Sequence, residues 1–175
     1  MEIRTETMAT LEKRIAYLED VESIREVVAR YGFNADLGLA RGYVENFVAD
    51  GVYETGGNGN FRGRDELNEF ITAPDGVHKK QVEGRGSQHT GLNLVVRVDG
   101  DTAWAEGYSV VVVRSGEAEF GIYTAGYNHW DFVRVEGRWK VKRRHRVDVG
   151  DLQRQPDGIW GGDVMTEFQT TESTR

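Results

Sequence analysis

Residues 88–114, QHTGLNLVVRVDGDTAWAEGYSVVVVR, decide the fold of this chain. Two runs rich in strand-favouring residues, 88–98 and 102–114, flank the turn Val98-Asp99-Gly100-Asp101. A short turn with an Asp-Gly pair between two such runs is a strong signal for a β-hairpin. Further strand-like runs at 118–134 and 138–148 follow, joined by glycine-containing turns. The second half of the chain is therefore predicted to be a series of antiparallel hairpins.

The first part of the chain has helical rather than strand spacing. Apolar residues recur at helical intervals from Met8 to about Asn34, where Asp20 is a possible start of a second helix and Leu37-Gly38 is a stop signal. Two shorter helices follow, separated by a short strand at 51–54. Their apolar stripes are Tyr43, Val44, Phe47 and Val48 in one, and Leu67, Phe70 and Ile71 in the other.

Helices followed by hairpins are typical of the α+β class. Three helices that cover one face of a curved antiparallel sheet would form a cone, closed at one end and open at the other. A cone lined by aromatic side chains and a few polar groups is suited to binding a small molecule. We therefore predict a cone-shaped α+β barrel with an internal pocket.

Length and composition exclude several classes of protein. The chain has 175 residues, a net charge of -7 and no cysteine. The net charge argues against a nucleic-acid surface, and the one basic cluster, Lys140 to Arg146, lies in a strand pattern and is interrupted by Val141 and His145. The lack of cysteine excludes disulfides and zinc–cysteine sites. No segment has the apolar length of a membrane span, and the four histidines are too scattered to suggest a metal site. We expect one cytoplasmic domain at 8–150, without nucleic-acid or membrane partners and without a metal or other cofactor.

The last twenty-five residues, 151–175, form a separate prediction. They contain one proline, several glycines and the apolar pair Ile159-Trp160. We expect this tail to cover the open end of the cone as a lid or to contact a neighbouring subunit.

Three residues carry the chemistry that the sequence suggests. Tyr31 and Asp36 lie five residues apart at the end of the first helix, and His89 begins the longest strand-like run. An imidazole can remove a proton next to a carbonyl group, because it changes charge close to neutral pH. A carboxylate can orient that imidazole and stabilise its cation, and a phenol can donate to the oxygen on which charge develops.

Several short motifs, in this order, resemble the nuclear-transport-factor-2-like superfamily and within it the SnoaL-like proteins. They are the helix end Tyr31…Asp36, the strand entry Phe47-Val48-Ala49-Asp50-Gly51-Val52-Tyr53, the helix start Phe61-Arg62-Gly63-Arg64-Asp65-Glu66-Leu67 and the terminal strand Val135-Glu136-Gly137-Arg138-Trp139-Lys140-Val141. The resemblance covers about residues 8–150 and implies the cone-shaped fold.

The resemblance is closest to the lyase branch, which includes scytalone dehydratase, bile-acid 7-alpha-dehydratase and hexachlorocyclohexane dehydrochlorinase. Asp36 and His89 fall at the catalytic Asp and His positions of this branch. Tyr31 matches the tyrosine of the bile-acid dehydratase, whereas the dehydrochlorinase has a lysine there, which argues against dehalogenation. Tyr53 and Arg144 fall at pocket positions of the dehydrochlorinase. His129 is the nearest counterpart of the second histidine of scytalone dehydratase, although its register does not match.

Three further side chains are candidates for the pocket wall because of their strand positions. Asn93 shares the face of His89 by simple alternation, and Trp104 and Tyr108 are among the aromatic residues of the next strand.

Arg144 presents a conflict between the family position and the strand pattern. In 139–147 the alternation places the apolar residues Trp139 and Val141 on one face and Arg144 on the other. The face of Arg144 would then be exposed to solvent. The family position places Arg144 inside. A bulge or the open end of the cone would reconcile the two, and His145 is the competing candidate.

The sequence thus predicts a cofactor-free lyase of the dehydratase type that acts on an apolar, ring-containing carbonyl compound. His89 is the expected base, Asp36 its partner and Tyr31 the oxygen donor. An isomerase or polyketide cyclase on the same fold, and a non-catalytic binding module, remain alternatives. The resemblance also implies a homo-oligomer, with a trimer favoured over a dimer.

Overall fold

The computed structural model describes residues 2–56, 59–82 and 86–150. The predicted tail, with its lid or subunit contact, lies outside these residues. The elements are α1 (Glu2–Asp36), α2 (Ala40–Glu45), β1 (Phe47–Glu54), β2 (Asn60–Arg62), α3 (Gly63–Thr72), a π-helical turn (His78–Val82), β3 (Ser87–Asp99), β4 (Thr102–Arg114), β5 (Phe120–Val135) and β6 (Arg138–Asp148). None of the helices in this part of the chain combines the length and apolar character needed to cross a bilayer.

Helix α1 is continuous, so the prediction that Asp20 starts a second helix is wrong. The Asp20 carboxylate instead accepts hydrogen bonds from Arg134 Nη2 at 2.8 Å and from Trp139 Nε1 at 3.0 Å. These contacts fasten the middle of α1 to β5 and β6 and remove the need for Asp20 to cap a helix. The predicted stop is confirmed, because α1 ends at Asp36 and Gly38 has a φ of 63°, which favours glycine.

The boundary between α2 and β1 differs from the sequence prediction. Phe47 and Val48 were expected on a helix but lie in β1, because α2 ends after Glu45 and the side chain of Phe47 is buried beside β6. Aromatic and β-branched residues favour a pleated, half-buried strand, so this assignment agrees with their propensity.

Within the described residues the sheet has six strands in the order β2-β1-β6-β5-β4-β3 and is unclosed, with β2 and β3 at its edges. The three predicted hairpins β3–β4, β4–β5 and β5–β6 are antiparallel, as expected. The curved sheet departs from the predicted antiparallel pairing at one place, where β1 pairs with β6 in parallel. The chain leaves β1 through β2 and α3 and crosses to the far edge at β3, so β1 meets the last strand of the hairpin series side by side.

The core lies between the helices and the inner face of the sheet. Its largest fully buried side chains are Tyr43, Phe47, Phe132, Ile24, Leu67, Ile71 and Val141. Helix α1 packs mainly against β3, and α3 packs against β1. The end of α1 is thereby held against the beginning of β3, where Asp36 and His89 meet.

Candidate functional site

Two adjacent cavities lie between the helices and the inner face of the sheet. The larger has a volume of about 780 Å³ and the smaller about 430 Å³. Sites for small organic ligands are commonly of this size. Tyr31, His89 and Arg144 line both cavities, so these three side chains lie where the two adjoin.

Asp36 and His89 form a close pair at the junction of α1 and β3. His89 Nδ1 lies 2.6 Å from Asp36 Oδ1, and the His89 backbone N–H donates to Oδ2 at 2.8 Å. Ser87 Oγ also donates to Oδ1, at 2.6 Å. Because an ionised carboxylate only accepts hydrogen bonds, Nδ1 carries a proton in this pair and Nε2 is left as the basic nitrogen.

The helix and strand approach closely at this point because residue 32 is glycine. A Cβ atom added to Gly32 would lie 3.3 Å from His89 Cβ and 3.5 Å from the His89 carbonyl oxygen. Any larger residue at position 32, one turn before Asp36, would therefore press on His89. Gly32 is a feature of the site that the sequence pattern did not reveal.

The surroundings of Asp36 keep its carboxyl group ionised. Burial alone would raise the pKa of Asp36, but the hydrogen bonds from His89 and Ser87 outweigh it and lower the pKa below its usual value. The ionised carboxylate fixes the orientation of the His89 ring and stabilises its cation when the ring takes a proton.

Tyr31 lies on the buried side of α1 with its phenol inside the site. The Tyr31 hydroxyl is 3.0 Å from the Tyr43 hydroxyl and accepts a hydrogen bond from Arg144 Nη1. Burial raises the pKa of Tyr31 well above its usual value, although the charge of Arg144 opposes this. The phenol therefore stays protonated and can act as a donor.

Arg144 lies on the inner face, and a β-bulge resolves the conflict in its strand pattern. Phe132 pairs with Val141 while Asp131 pairs with Arg143, which leaves Lys142 as an extra residue in β6. The alternation therefore inverts after Lys142, and Arg144 follows Val141 inward. Arg144 is only 3% exposed.

The strand pairing also shows which face Tyr53 and His145, two neighbours of Arg144, occupy. Tyr53 of β1 pairs with Arg144 in the parallel register and lines the larger cavity, as its family position implies. His145, the competing candidate, points to the other face, where its Nδ1 lies 3.0 Å from Glu54 Oε2.

A second bulge removes Asn93 from the predicted site. Leu92 pairs with Tyr108 and Val95 pairs with Glu106, so β3 has one residue more than β4 between these pairs. Asn93 takes the extra position with a φ of 52° and is exposed, while Leu94 packs against the core. The prediction that Asn93 shares the inner face with His89 is therefore wrong.

Trp104 and His129 lie on the outer face of the sheet, and their prediction as pocket residues is also wrong. In β4 the small residues Ala103 and Ala105 face the core, which places Trp104 outward, and the Trp104 ring stacks on His129 with centroids 6.3 Å apart. Tyr108 borders the smaller cavity but is 45% exposed, and its ring packs edge-on against Tyr127 at 5.4 Å. The inner face of β4 holds small residues where the neighbouring β5 supplies the large Phe132 and Trp130.

The outer face instead holds an ionic cluster around His129. His129 Nδ1 lies 3.0 Å from Glu106 Oε1, and His129 Nε2 lies 3.2 Å from Asp131 Oδ1. Burial alone would lower the pKa of His129, but Asp131 and Glu106 raise it to about 9. His129 is therefore a cation at neutral pH.

Replacing His129 is expected to change stability and its pH dependence. His129→Gln leaves two partly buried carboxylates without their cation, so we expect a loss of about 1–3 kcal/mol in the free energy of unfolding at neutral pH. Because the folded pKa lies above the ordinary value of about 6.5, the stabilisation is complete below that pH and is lost as the pH rises through about 9. Urea unfolding across this range should show the decline in the wild type and a flatter profile in the variant. Identical profiles would contradict the assignment.

The sequence reasoning missed several polar residues of the site, among them Ser87, Asn128 and His78. Asn128 Oδ1 accepts hydrogen bonds from Arg144 Nε at 3.1 Å and Nη2 at 2.6 Å; its alternation with the buried Trp130 and Phe132 could have indicated its inward position. His78, in the π-helical turn, is 3% exposed and lines the larger cavity near Phe70. It falls in residues 75–87, whose polar, glycine-containing sequence predicts only a loop.

The described ranges contain no group of three or more His, Asp or Glu side chains arranged to hold a metal ion. Proton transfer and hydrogen bonding are the chemistry that the side chains around the cavities can supply.

The comparisons with known proteins agree with this fold. The SnoaL-like domain family matches residues 16–145. An NTF2-like protein with a cystatin-like fold from Novosphingobium aromaticivorans is 35% identical, with a TM-score of 0.73, over 80% of this chain and 88% of its own. None of the curated proteins compared with the chain is significantly similar in sequence.

Two more distant structures share the fold alone. A candidate scytalone dehydratase from the same organism is 23% identical, with a TM-score of 0.63, over 75% of this chain and 85% of its own. A candidate aromatic ring hydroxylase, also from that organism, is 20% identical, with a TM-score of 0.63, over 75% of this chain and 90% of its own.

Proposed function

Because the chain belongs to the SnoaL-like domain family, we propose that it is a cofactor-free lyase of the dehydratase type. It removes a proton and a hydroxyl group from neighbouring carbons of a small, ring-containing carbonyl compound. The observation that carries the proposal is the Asp36–His89 pair, which lines the smaller cavity together with Tyr31.

The first step is removal of the proton next to the carbonyl group. His89 Nε2 accepts this proton, because Nδ1 is already protonated and held by Asp36. The electron pair of the broken C–H bond moves toward the carbonyl oxygen, where enolate charge develops. Tyr31 donates a hydrogen bond to that oxygen.

The second step is loss of the hydroxyl group. The enolate electron pair forms the new C=C bond as the neighbouring C–O bond breaks, and the His89 imidazolium returns its proton to the departing oxygen as water. The sum is substrate to product plus water, with no oxidant or reductant. Aromatic residues Tyr53, Phe61 and Phe70 line the larger cavity and suit a ring-containing substrate.

Product analysis tests the reaction type. Ring-containing β-hydroxy ketones are incubated with the enzyme in deuterated water and followed by NMR and mass spectrometry. A dehydratase yields a product that has lost one water, and incomplete reactions return substrate labelled at the α-carbon. Exchange of the α-proton, together with a product of unchanged mass, would indicate an isomerase or cyclase that shares the first step. If neither exchange nor a product is detected, the result would contradict the enzyme proposal and favour a binding module.

The role of Tyr31 gives a separate prediction. Tyr31→Phe should reduce turnover by about 10–100-fold, a smaller loss than removal of the base, because the phenol only supports the oxygen. Burial raises the pKa of Tyr31, so the phenol stays protonated beyond the ordinary tyrosine value of about 10. The wild-type rate should therefore show no decline from tyrosine ionisation below that pH. A decline near pH 8 that disappears in Tyr31→Phe would contradict this reading.

A further inference from the structure

Arg144 is a buried charge whose partners are all neutral. Its Nε and Nη2 donate to Asn128 Oδ1, and its Nη1 donates to the Tyr31 hydroxyl. Its guanidinium carbon lies 4.4 Å from the ring centroid of Tyr31 and 4.6 Å from those of Tyr53 and Trp130. Within the described part of the chain it forms no ion pair with a carboxylate.

The other arginines of the same region are neutralised by acids. Arg143 pairs with Glu54 at 2.6 Å and Arg146 with Asp148 at 2.8 Å. Arg144 stands between these two in sequence yet has no such partner. Asp36, which lines the smaller cavity with Arg144, is already held by Ser87 and His89.

A guanidinium cannot escape this situation by losing its proton. Burial alone would lower the pKa of Arg144, but the charge-stabilising phenols raise it above the ordinary value, so the group remains a cation. Burying a cation without an anion is costly, and aromatic rings and amide oxygens offset the cost only in part. A negatively charged ligand would neutralise the guanidinium.

The guanidinium also has donors left for a ligand. Its hydrogen bonds to Asn128 and Tyr31 leave one N–H on each terminal nitrogen, and the side chain lines both cavities. Two adjacent N–H groups of an arginine match the two oxygens of a carboxylate.

We propose that Arg144 binds an anionic oxygen, such as a carboxylate, that the substrate carries before reaction. The substrate is then a ring-containing hydroxy ketone that also carries an acid group, rather than a neutral ketone. This inference rests on the proposed function, because it places the acid in the cavity where His89 acts. Asn128 holds the guanidinium in position, and the rings around it exclude water.

A pair of matched probes tests the inference without any turnover. Binding of 2-naphthoate and of 2-naphthamide to the full-length protein is measured by isothermal titration calorimetry at neutral pH. The two probes have nearly the same shape and differ in charge. We expect the acid to bind about 10-fold or more tighter than the amide. Equal affinities, or no binding of 2-naphthoate at millimolar concentration, would overturn the inference.

Variants identify the residue responsible. Arg144→Met should reduce the preference for the acid to about 1-fold, and Arg144→Lys should keep part of it. Arg143→Met, on the opposite face of the same strand, is the matched control and should keep all of it. A preference that survives in a folded Arg144→Met protein would overturn the assignment. If Arg144→Met does not fold, as judged by circular dichroism, the affinities of the two probes for the wild type and for Arg144→Lys decide.

His89→Gln separates this inference from the proposed function. The acid preference should be unchanged in His89→Gln, because the base takes no part in charge recognition. An acid preference in a protein that shows no His89-dependent turnover would support the binding site and overturn only the lyase proposal. Turnover of ring compounds without any acid preference would overturn only the role of Arg144.

Discussion

His89→Gln is expected to reduce turnover by about 10²–10⁴-fold while leaving the fold intact. Glutamine can occupy the space of the imidazole and can still donate to Asp36. It cannot accept the α-proton at the position of Nε2, so the first step of the proposed reaction is lost. The loss should appear in kcat more than in KM, because the imidazole acts on the reacting atoms.

The measurement for His89→Gln is the rate of α-proton exchange in deuterated water, followed by NMR, together with the rate of product formation. His129→Gln is the matched control, since it makes the same substitution on the outer face of the sheet. Its rate should stay within a few-fold of the wild type at a temperature at which both variants are folded. Equal exchange rates in the wild type and in His89→Gln would rule out His89 as the base, whatever the substrate.

The hairpin half of the fold could be predicted from the sequence because its signals are local. Turn residues such as Gly100 and Gly137, both with positive φ, separate strands that keep their alternation for many residues. The parallel pairing of β1 with β6 is a contact between distant segments, and no local pattern specifies it. The start of β1 was misplaced because Phe47 and Val48 fit either an apolar helix stripe or a strand.

The candidate site was predictable to the extent that the strands keep their register. Asp36 and His89 were found through family positions, and they lie at element ends where no bulge intervenes. Asn93 occupies a bulge and Arg144 follows one. A single extra residue moves every later side chain of the strand to the opposite face. Alternation alone therefore placed both on the wrong side.

The outward position of Trp104 shows a different limit of sequence reasoning. Large aromatic residues are expected to face a core, but the inward positions of β4 hold Ala103 and Ala105, which pair with the large residues Phe132 and Trp130 of β5. Which of two neighbouring strands supplies the large side chains is not contained in the pattern of either strand. His78 was missed for a similar reason, because its burial comes from the packing of a π-helical turn against Phe70.

Asp36→Asn is expected to affect both catalysis and stability. Loss of the negative charge removes the group that stabilises the His89 cation and that fixes the proton on Nδ1. In a comparable arrangement of serine proteases the Asp-to-Asn change costs about 10⁴-fold, so we expect a loss of about 10²–10⁴-fold in kcat here. Asn also replaces one acceptor oxygen by a donor, which opposes either the Ser87 hydroxyl or an N–H of His89.

The stability effect of Asp36→Asn has a defined pH dependence. We expect the free energy of unfolding to fall by about 1–3 kcal/mol at neutral pH, since donors that bonded to the carboxylate lose their partner. The folded pKa of Asp36 lies below its unfolded value, so its contribution is present above the ordinary carboxyl range. That contribution is lost as the pH falls through the folded pKa.

Urea unfolding of the wild type and of Asp36→Asn, at neutral pH and at a series of acidic pH values, measures this contribution. The difference between the two proteins should shrink as the pH falls, because the wild-type carboxylate becomes protonated and resembles the amide in charge. A difference that stays constant down to the lowest pH at which both fold would show that the Asp36 charge does not stabilise this junction. In that case a large loss of turnover could no longer be explained by an ionised Asp36 acting on His89.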